Sequence, residues 1–342
     1  MVAPDLNTVR QGNSFDFLRF ISSCFVIISH SYSLTGKEAQ EGLMVISRQT
    51  YHFSSLGLIC FFTISGYLVC QSLLNSPTIV NYAWKRFLRI VPALSLVIIF
   101  SIFIIGPLFT TLSFSQYFSS PLTYSYLRNI FFILPVQWQL PGLFTSNPES
   151  SVNGSLWTLI LEGRLYILLM VLYFFRFFRK RIMMLVAYLI LVIASPFFNF
   201  IFKTVDPIPF HFTLFFFAGV IAHLYREKMI YNRWLALSAI TLIVLRCFSP
   251  VTNPLNFFAF PYLVLYLAQL SSPLNRAGSH GDFSYGLFLF SYPIQQCIVM
   301  FSKGNISIPA MIFLSMILTL PFAILSWKYV ESKALKYKYL IK

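Results

Sequence analysis

The chain has 342 residues, of which 57% are hydrophobic, 18% are aromatic and only 10% are charged. A soluble domain carries about 25% charged residues, so this composition excludes a soluble globular protein and predicts a protein of the lipid bilayer. The formal net charge of +15 indicates an orientation in the membrane rather than a nucleic-acid partner.

Ten apolar runs follow one another along the chain, each close to the ~17 to 25 residues that cross about 30 Å of hydrocarbon. The sequence therefore predicts an all-α membrane protein, a bundle of about ten transmembrane helices that forms one domain over residues 1–342. The predicted helices lie near 15–34, 54–74, 87–110, 154–177, 182–201, 208–225, 233–248, 252–270, 283–302 and 306–328.

The positions of the cations predict which ends of these helices face the cytoplasm. Most of the 25 Lys and Arg residues share one side of the membrane if the N terminus is cytoplasmic. Cytoplasmic segments are enriched in Lys and Arg, so we predict that the N and C termini are both cytoplasmic. The cations on that side include Arg10, Arg86, Arg179, Arg226, Arg276 and Lys342.

The longest connection, about 111–153, would then face outward. It is rich in Phe, Tyr and Leu and contains Pro121, Pro135 and Pro141, which predicts a partly helical segment at the outer interface. This segment could serve as a structural lid or as a surface that binds the acceptor, and the sequence leaves both open.

The cysteines give no sign of a metal site or a disulfide framework. All of them lie inside apolar runs and none has CxxC or Cys/His spacing, so we expect them to be small packing residues. They are Cys24, Cys60, Cys70, Cys247 and Cys297.

The first run carries two polar residues that are costly in a membrane, Arg19 and His30. They are eleven residues apart, so both side chains point along one helix face and are separated by ~16 Å along the axis. Arg19 can bind phosphate, and His30 can exchange a proton near neutral pH. The alternatives are an arginine that reaches the interface from a helix end and a histidine that packs between helices.

The fourth run contains opposite charges, Glu162 and Arg164. Glu162 is predicted ~12 Å below the outer surface, where it could meet His30 and orient the imidazole. The alternative is that Glu162 pairs with Arg164 or with Arg19. At the entry of this run, the NGS sequence at 153–155 predicts a helix N-cap rather than a glycosylation site.

Arg86 and Arg89 form a basic patch at the predicted cytoplasmic mouth of the third helix. Such a patch can hold several phosphates, and Trp84 beside it can stack on a nucleotide base. The alternative is that these cations only set the topology against anionic lipid.

Small and amide side chains mark two further runs. Ser65 and Gly66 in the second run predict that a neighbouring helix approaches closely. Gln295 and Gln296 follow Pro293 in the ninth run, where they either line a polar cavity or form hydrogen bonds between helices.

Five stretches occur in one order: Arg19 with His30, 61–68 (FFTISGYL), 86–92 (RFLRIVP), 155–159 (SLWTL) leading to Glu162 and Tyr166, and 284–286 (SYG). Together they resemble acyltransferase family 3, the bacterial integral-membrane acyltransferases that O-acetylate cell-surface and secreted carbohydrates. The resemblance covers essentially the whole chain.

The resemblance implies a multi-pass protein of the bacterial inner membrane. It would move an acetyl group from cytoplasmic acetyl-CoA to a hydroxyl of lipopolysaccharide O-antigen, capsule or exopolysaccharide, without a metal. His30 would act as general base on the acceptor hydroxyl and Glu162 would orient it. Transfer through an acetylated intermediate on His30 or a nearby serine is the competing mechanism.

The resemblance also implies two sets of binding residues. The phosphates of acetyl-CoA would rest on Arg86, Arg89 and Arg19, with Trp84 beside the nucleotide. The predicted contacts with the glycan acceptor are Trp157, Tyr166, Tyr285, Gln295 and Gln296.

Three positions depart from the family pattern. Tyr292 stands where many members carry a histidine before the proline of the ninth helix, so catalysis cannot depend on a histidine there. Arg164 replaces a position that is more often uncharged, and Ser332 follows Glu331 where the family has a proline.

A different class of protein also fits buried Arg, Glu and His in ten helices. A proton-coupled transporter or a flippase for lipid-linked glycans needs such charges for its ion pathway. Consumption of labelled acetyl-CoA would distinguish an acyltransferase from a carrier.

Overall fold

The computed structural model describes residues 14–198, 206–249, 253–270 and 281–341. Within these ranges the chain is helical apart from turns and loops, with no strand and one isolated antiparallel bridge between Thr110 and Leu143. The predicted all-α class is confirmed for this part of the chain. Arg10, Arg276 and Lys342, which contribute to the predicted orientation, lie outside the described residues.

Ten helices of 14 to 22 residues occur in the described ranges, and each overlaps one of the predicted runs. They are α1 (Phe15–Ser33), α2 (Phe53–Leu74), α3 (Ile79–Phe100), α4 (Leu156–Phe174), α5 (Arg181–Ala194), α6 (Ile208–Leu224), α7 (Arg233–Arg246), α8 (Asn253–Gln269), α9 (Ser284–Ser302) and α10 (Ile308–Ser326). Shorter helices are Gly42–Ile46, Phe114–Ser119, Pro121–Ser125 and Ser332–Lys336.

Helix α3 begins earlier than the predicted 87 because Thr78 caps it. The Thr78 side chain accepts a hydrogen bond from the Asn81 amide, which satisfies one of the free N–H groups of the first turn. The basic patch therefore belongs to the helix itself and does not precede it. Hydropathy alone misses this polar first part of α3.

Among the residues that the structure describes, four helices are long and apolar enough to cross a membrane by length and composition: Phe53–Leu74, Ile79–Phe109, Leu156–Phe174 and Ile308–Tyr339. The chain is therefore a multi-pass membrane protein. Two of these spans continue α3 and α10 through single π-helical segments, Ser101–Ile105 and Trp327–Glu331. The number of crossings, about ten, and the cytoplasmic position of both termini stay predictions.

The chain divides into two compact units, each built from three stretches. The first unit comprises Met1–Ser22, Leu43–Ser76 and Leu165–His280. The second unit comprises Ser23–Gly42, Pro77–Arg164 and Gly281–Lys342. One domain over residues 1–342 stays a prediction.

In the first unit, α2 and α6 pack with their backbones in contact. A Cβ added at Gly66 would overlap the carbonyl oxygen of Phe216, and one at Gly219 would overlap that of Thr63. The predicted close approach at Gly66 is thus confirmed. The two helices run parallel, since Phe62 stacks on Phe212 and residues further along α2 meet residues further along α6.

In the second unit, α9 lies beside α1 and α10. The Ser23 hydroxyl donates to the Ser284 carbonyl at 2.8 Å, and the Gln295 amide donates to the Ile27 carbonyl at 2.9 Å, so α1 and α9 run parallel. Helix α10 returns in the opposite direction, with Ala323 packed against Gly286. These directions fit the alternation expected for consecutive crossings.

The connection 111–153 is partly helical, as predicted. Buried tyrosines anchor it to the second unit: the Tyr117 hydroxyl donates to the Ile102 carbonyl at 2.9 Å, and Tyr126 is 1% exposed. Burial raises the pKa of the Tyr117 phenol, so it keeps its proton. Whether the segment acts as a lid or as a binding surface stays open.

Candidate active site

His30 lies near the end of α1 and packs against α9. Its ring meets the Tyr292 ring edge-on, with centroids 5.0 Å apart and planes at 82°. Its Nδ1 atom is buried and has no hydrogen-bond partner among the described residues. The imidazole therefore contacts a neighbouring helix, and one nitrogen remains available to a bound group.

Tyr292 connects His30 to the segment that enters α4. It is 5% exposed, and its hydroxyl is 2.7 Å from the Ser151 hydroxyl. Gly154 lies directly on the Tyr292 ring, where a Cβ would overlap the ring atoms. The position that departs from the family pattern thus contacts the predicted base.

Asn153 forms a turn immediately before α4, and the predicted N-cap stays a prediction. Its Oδ1 accepts a hydrogen bond from the Ser155 amide at 3.1 Å, and its Nδ2 donates to the Leu289 carbonyl at 2.9 Å. The Ser155 hydroxyl takes no part in this turn. It is buried and has no hydrogen-bond partner in the described part of the chain.

Gln295 and Gln296 are both fully buried and form hydrogen bonds between elements. Gln295 donates to the Ile27 carbonyl and, at 3.0 Å, to the Ser31 hydroxyl, while its Oε1 has no partner among the described residues. Gln296 donates to the Ser151 carbonyl at 2.6 Å. Of the two alternatives for this pair, the geometry favours hydrogen bonding between elements.

The two charged residues of α4 differ in their burial. Glu162 is half-buried, and Arg164 is exposed. Gly163 between them packs against the Phe132 ring. Trp157, one of the predicted acceptor contacts, is half-buried on the same helix. The pairing of Glu162 with His30 stays a prediction.

The sequence analysis missed a buried carboxylate close to His30 in the chain. Glu41 is 0% exposed, and its Oε2 accepts a hydrogen bond from the Ser29 hydroxyl at 2.7 Å. Its position in a predicted loop concealed it, because hydropathy treats a loop glutamate as solvated.

At the other end of α9, Arg89 forms an ion pair that the sequence analysis did not name. Its Nη2 is 2.5 Å from Oδ2 of Asp282, which is 4% exposed. The guanidinium also lies 5.7 Å from the centroid of the Tyr285 ring, whose hydroxyl donates to the Ile90 carbonyl at 3.0 Å. Tyr285 is therefore held by α3, and its contact with an acceptor stays a prediction.

A second acid interacts with Arg89. Glu331 is 3% exposed, accepts a hydrogen bond from the Ser326 hydroxyl at 2.8 Å and interacts electrostatically with Arg89 and Asp282. The charge of Arg89 is thus compensated within the fold.

Two further residues of the predicted nucleotide site, Arg86 and Trp84, lie on the same helix as Arg89. The Arg86 guanidinium is 5.9 Å from the centroid of the Tyr82 ring. Trp84 stacks on Phe87, with centroids 5.5 Å apart, and donates from Nε1 to the Tyr337 carbonyl at 2.9 Å. The Ile341 carbonyl also accepts a hydrogen bond, from the side-chain amide of Asn81. The C-terminal tail is therefore bonded to the start of α3.

Two predicted site residues belong to the first unit. Arg19 lies 3.9 Å from Asp16 of its own helix and is 15% exposed. The Tyr166 hydroxyl is 3.2 Å from the Ser65 hydroxyl, and Tyr166 is 6% exposed. This contact gives both residues a packing role, and an acceptor contact for Tyr166 stays a prediction.

The second unit thus carries two polar groups along α9. Arg89 with its acids lies at the start of the helix, and His30 lies against Tyr292, about 12 Å further along the axis. An imidazole with an unoccupied nitrogen can act as general base. No three His, Cys, Asp or Glu residues in the described ranges are placed to hold a metal ion.

Comparison with known proteins places this arrangement in a family. A family model described as an acyltransferase domain matches residues 13–328. The chain is 26% identical to an O-acetyl transferase of Shigella phage Sf6 over 343 residues, covering 96% of this chain and 97% of the relative. It is 29% identical to nodulation protein 10 of Rhizobium leguminosarum bv. viciae over 355 residues, covering 95% and 93%. No solved structure matches. Because one model covers nearly the whole chain, this protein belongs to acyltransferase family 3, as its motifs predicted, and is an acyltransferase.

Proposed function

We propose that the protein is a membrane O-acetyltransferase that moves an acetyl group from acetyl-CoA to a hydroxyl of a cell-surface or secreted glycan. The family and the name of the phage relative support the reaction class. The observation that carries the proposal is the buried Nδ1 of His30, which lies against α9 without a hydrogen-bond partner among the described residues.

In the proposed reaction, His30 removes the proton from the acceptor hydroxyl as its oxygen attacks the carbonyl carbon of the thioester. The tetrahedral intermediate then collapses, the carbon–sulfur bond breaks, and His30 returns the proton to the leaving thiolate. Glu162 stabilises the imidazole while it carries the positive charge. The products are the acetyl ester and the free thiol.

The donor's phosphates bind at the start of α3 in this proposal. Arg86 supplies one cation for the phosphates, and Arg89 must exchange Asp282 for phosphate. Trp84, which stacks on Phe87 through one ring face, would hold the base with the other. The part that Arg19 plays stays a separate prediction.

The proposed acceptor is lipopolysaccharide O-antigen, capsule or exopolysaccharide, and the proposed location is the bacterial inner membrane with both termini cytoplasmic. The proposed contacts with the acceptor include Tyr166 and Tyr285, which also use their hydroxyls inside the fold. The other proposed contacts are Trp157, Gln295 and Gln296.

The first test is consumption of labelled acetyl-CoA by the purified protein in lipid nanodiscs with extracted glycan. We expect wild type to release free CoA, and we expect His30→Ala and Glu162→Gln to release almost none, because the base and its orienting carboxylate are lost. His211→Ala, a half-buried histidine of α6, is the matched control and should stay active.

Two results would contradict the proposal. Activity of both variants near the wild-type rate would exclude His30 and Glu162 from the chemistry. Transport of glycan without any use of acetyl-CoA would favour the carrier that the sequence left open.

A further inference from the structure

Three buried polar atoms without a hydrogen-bond partner among the described residues belong to residues close to Tyr292, in contact or along the chain. They are Nδ1 of His30, Oε1 of Gln295 and Oγ of Ser155. Buried polar atoms in native proteins nearly always have a partner, so such a group indicates that a polar ligand supplies the missing ones.

Contacts place these atoms in one neighbourhood. The ring of His30 packs on Tyr292, and Gly154, the residue before Ser155, packs on the same ring. Gln295 follows Tyr292 by one helical turn on α9. All of these residues belong to the second unit.

Ser155 is the member of the group without a structural task. It is 2% exposed, its amide donates to Asn153 and its carbonyl accepts from Thr158 at 2.9 Å, so its backbone is satisfied. A serine just before a helix normally caps it through its hydroxyl, but the Ser155 hydroxyl makes no such bond. A buried hydroxyl without a partner destabilises a fold, which argues that this one is kept for a ligand.

The chemistry of the three atoms is complementary to acyl transfer. His30 Nδ1 can accept the one hydrogen bond that an attacking hydroxyl donates, Gln295 Oε1 can accept a bond from another polar hydrogen of the ligand, and the Ser155 hydroxyl can donate one. Ser155 also lies at the N-terminus of α4, where the helix dipole favours negative charge. Negative charge develops on the acyl carbonyl oxygen when the acceptor oxygen attacks.

We propose that the Ser155 hydroxyl donates a hydrogen bond to the acyl carbonyl oxygen and stabilises the oxyanion of the tetrahedral intermediate. The inference rests on the proposed function, in which His30 is the base. Ser155 keeps its proton throughout: the carbonyl π bond opens as the acceptor oxygen attacks, the oxyanion forms, and the π bond re-forms as the thiolate leaves. Ser155 is then a catalytic residue that the sequence analysis did not assign.

The test compares Ser155→Ala with Ser155→Thr, which keeps a hydroxyl. Loss of one oxyanion donor lowers kcat by about 100- to 1,000-fold, so we expect a fall of that order for Ser155→Ala with the KM for acetyl-CoA changed less than about twofold. Ser155→Thr should recover part of kcat. The thermal midpoint of Ser155→Ala should equal or exceed that of wild type, because no existing hydrogen bond is lost.

Ser315→Ala is the matched control. Ser315 is 0% exposed and its hydroxyl donates to the Met311 carbonyl within α10, so this variant removes an equally buried serine with a backbone partner. It should keep the wild-type kcat. If Ser315→Ala lowered kcat as much as Ser155→Ala, the loss would follow from removing any buried serine, and the inference would be overturned.

The remaining outcomes separate this inference from the proposed function. If Ser155→Ala keeps kcat within about threefold of wild type while His30→Ala is inactive, the inference fails and the proposed function stands. An acetyl group found on Ser155 by mass spectrometry after incubation with acetyl-CoA alone would also overturn it, since Ser155 would then be a nucleophile. Wild-type activity of His30→Ala would instead remove the proposed function.

Discussion

The contacts of Arg89 change the role that its sequence motif predicts. The basic patch predicted two phosphate-binding cations, yet Arg89 pairs with Asp282 and interacts with Glu331. Asp282 is separated from Arg89 by 193 residues, so no local pattern could reveal the pair. A donor that binds Arg89 has to compete with a carboxylate already in place.

Asp282→Asn should therefore lower stability. It leaves Arg89 with a neutral partner, and breaking a buried ion pair costs up to ~3–5 kcal/mol, less here because Glu331 remains. We expect the thermal midpoint in detergent to fall. Glu227→Gln is the control, because Glu227 is 72% exposed beside Arg226, and such pairs contribute ~1 kcal/mol at most. Equal thermal midpoints for the two variants would show that the ion pair between Asp282 and Arg89 does not stabilise the fold.

Contacts between residues that are distant in the sequence also decide the candidate active site. His30 could be singled out from sequence because a membrane helix rarely carries a histidine without a reason. Its contact with Tyr292 and the unused hydroxyl of Ser155 could not, since both depend on how distant elements meet. Gln295 and Gln296 were correctly singled out as polar, but only the fold shows their hydrogen bonds.

At the scale of helices, glycine decides how closely α2 and α6 pack. Gly66 and Gly219 each face a backbone carbonyl of the opposite helix. Van der Waals packing is the main attraction between helices in lipid, so small residues at the contact matter more there than in water. Sequence predicted this role for Gly66 from its motif, whereas nothing local distinguished Gly219.

Alanine at these glycines should force the helices apart. Overpacking costs about 1–3 kcal/mol, and more where the obstacle is backbone, so Gly66→Ala and Gly219→Ala should each lower the thermal midpoint or the yield of folded protein. Gly42→Ala provides the control, because nothing lies within 4 Å of a Cβ added there. An unchanged midpoint for Gly66→Ala would show that α2 and α6 can separate without cost.

Element positions could be predicted well because a span needs a fixed length of apolar sequence. Their ends could not be predicted as well, since caps and polar first turns decide them. The start of α3 at Ile79, set by Thr78, is the example with the most consequence because it includes the whole basic patch in the helix.

At the scale of the whole chain, helix directions offer a test of topology. Within the second unit, α1 runs parallel to α9, and α10 runs opposite to α9. The predicted alternation of ten crossings requires these directions, although the cytoplasmic position of the termini rests on charge alone.

Cysteine labelling can determine which loops face the cytoplasm. In a cysteine-free background, Lys228→Cys and Asn305→Cys introduce thiols at exposed positions. A membrane-impermeant maleimide should label Asn305→Cys in intact cells and Lys228→Cys only after permeabilisation, because positive loops stay inside. The reverse pattern would invert the predicted orientation and would move His30 to the donor side.

The C-terminal tail holds the start of α3, the helix that carries the basic patch. Trp84 and the Asn81 side chain donate hydrogen bonds to its Tyr337 and Ile341 carbonyls. Trimming the chain after Lys336 would remove both acceptors at once and loosen the beginning of α3. Expression vectors that shorten this terminus would thereby weaken the proposed binding of the nucleotide without changing any residue of the proposed chemistry.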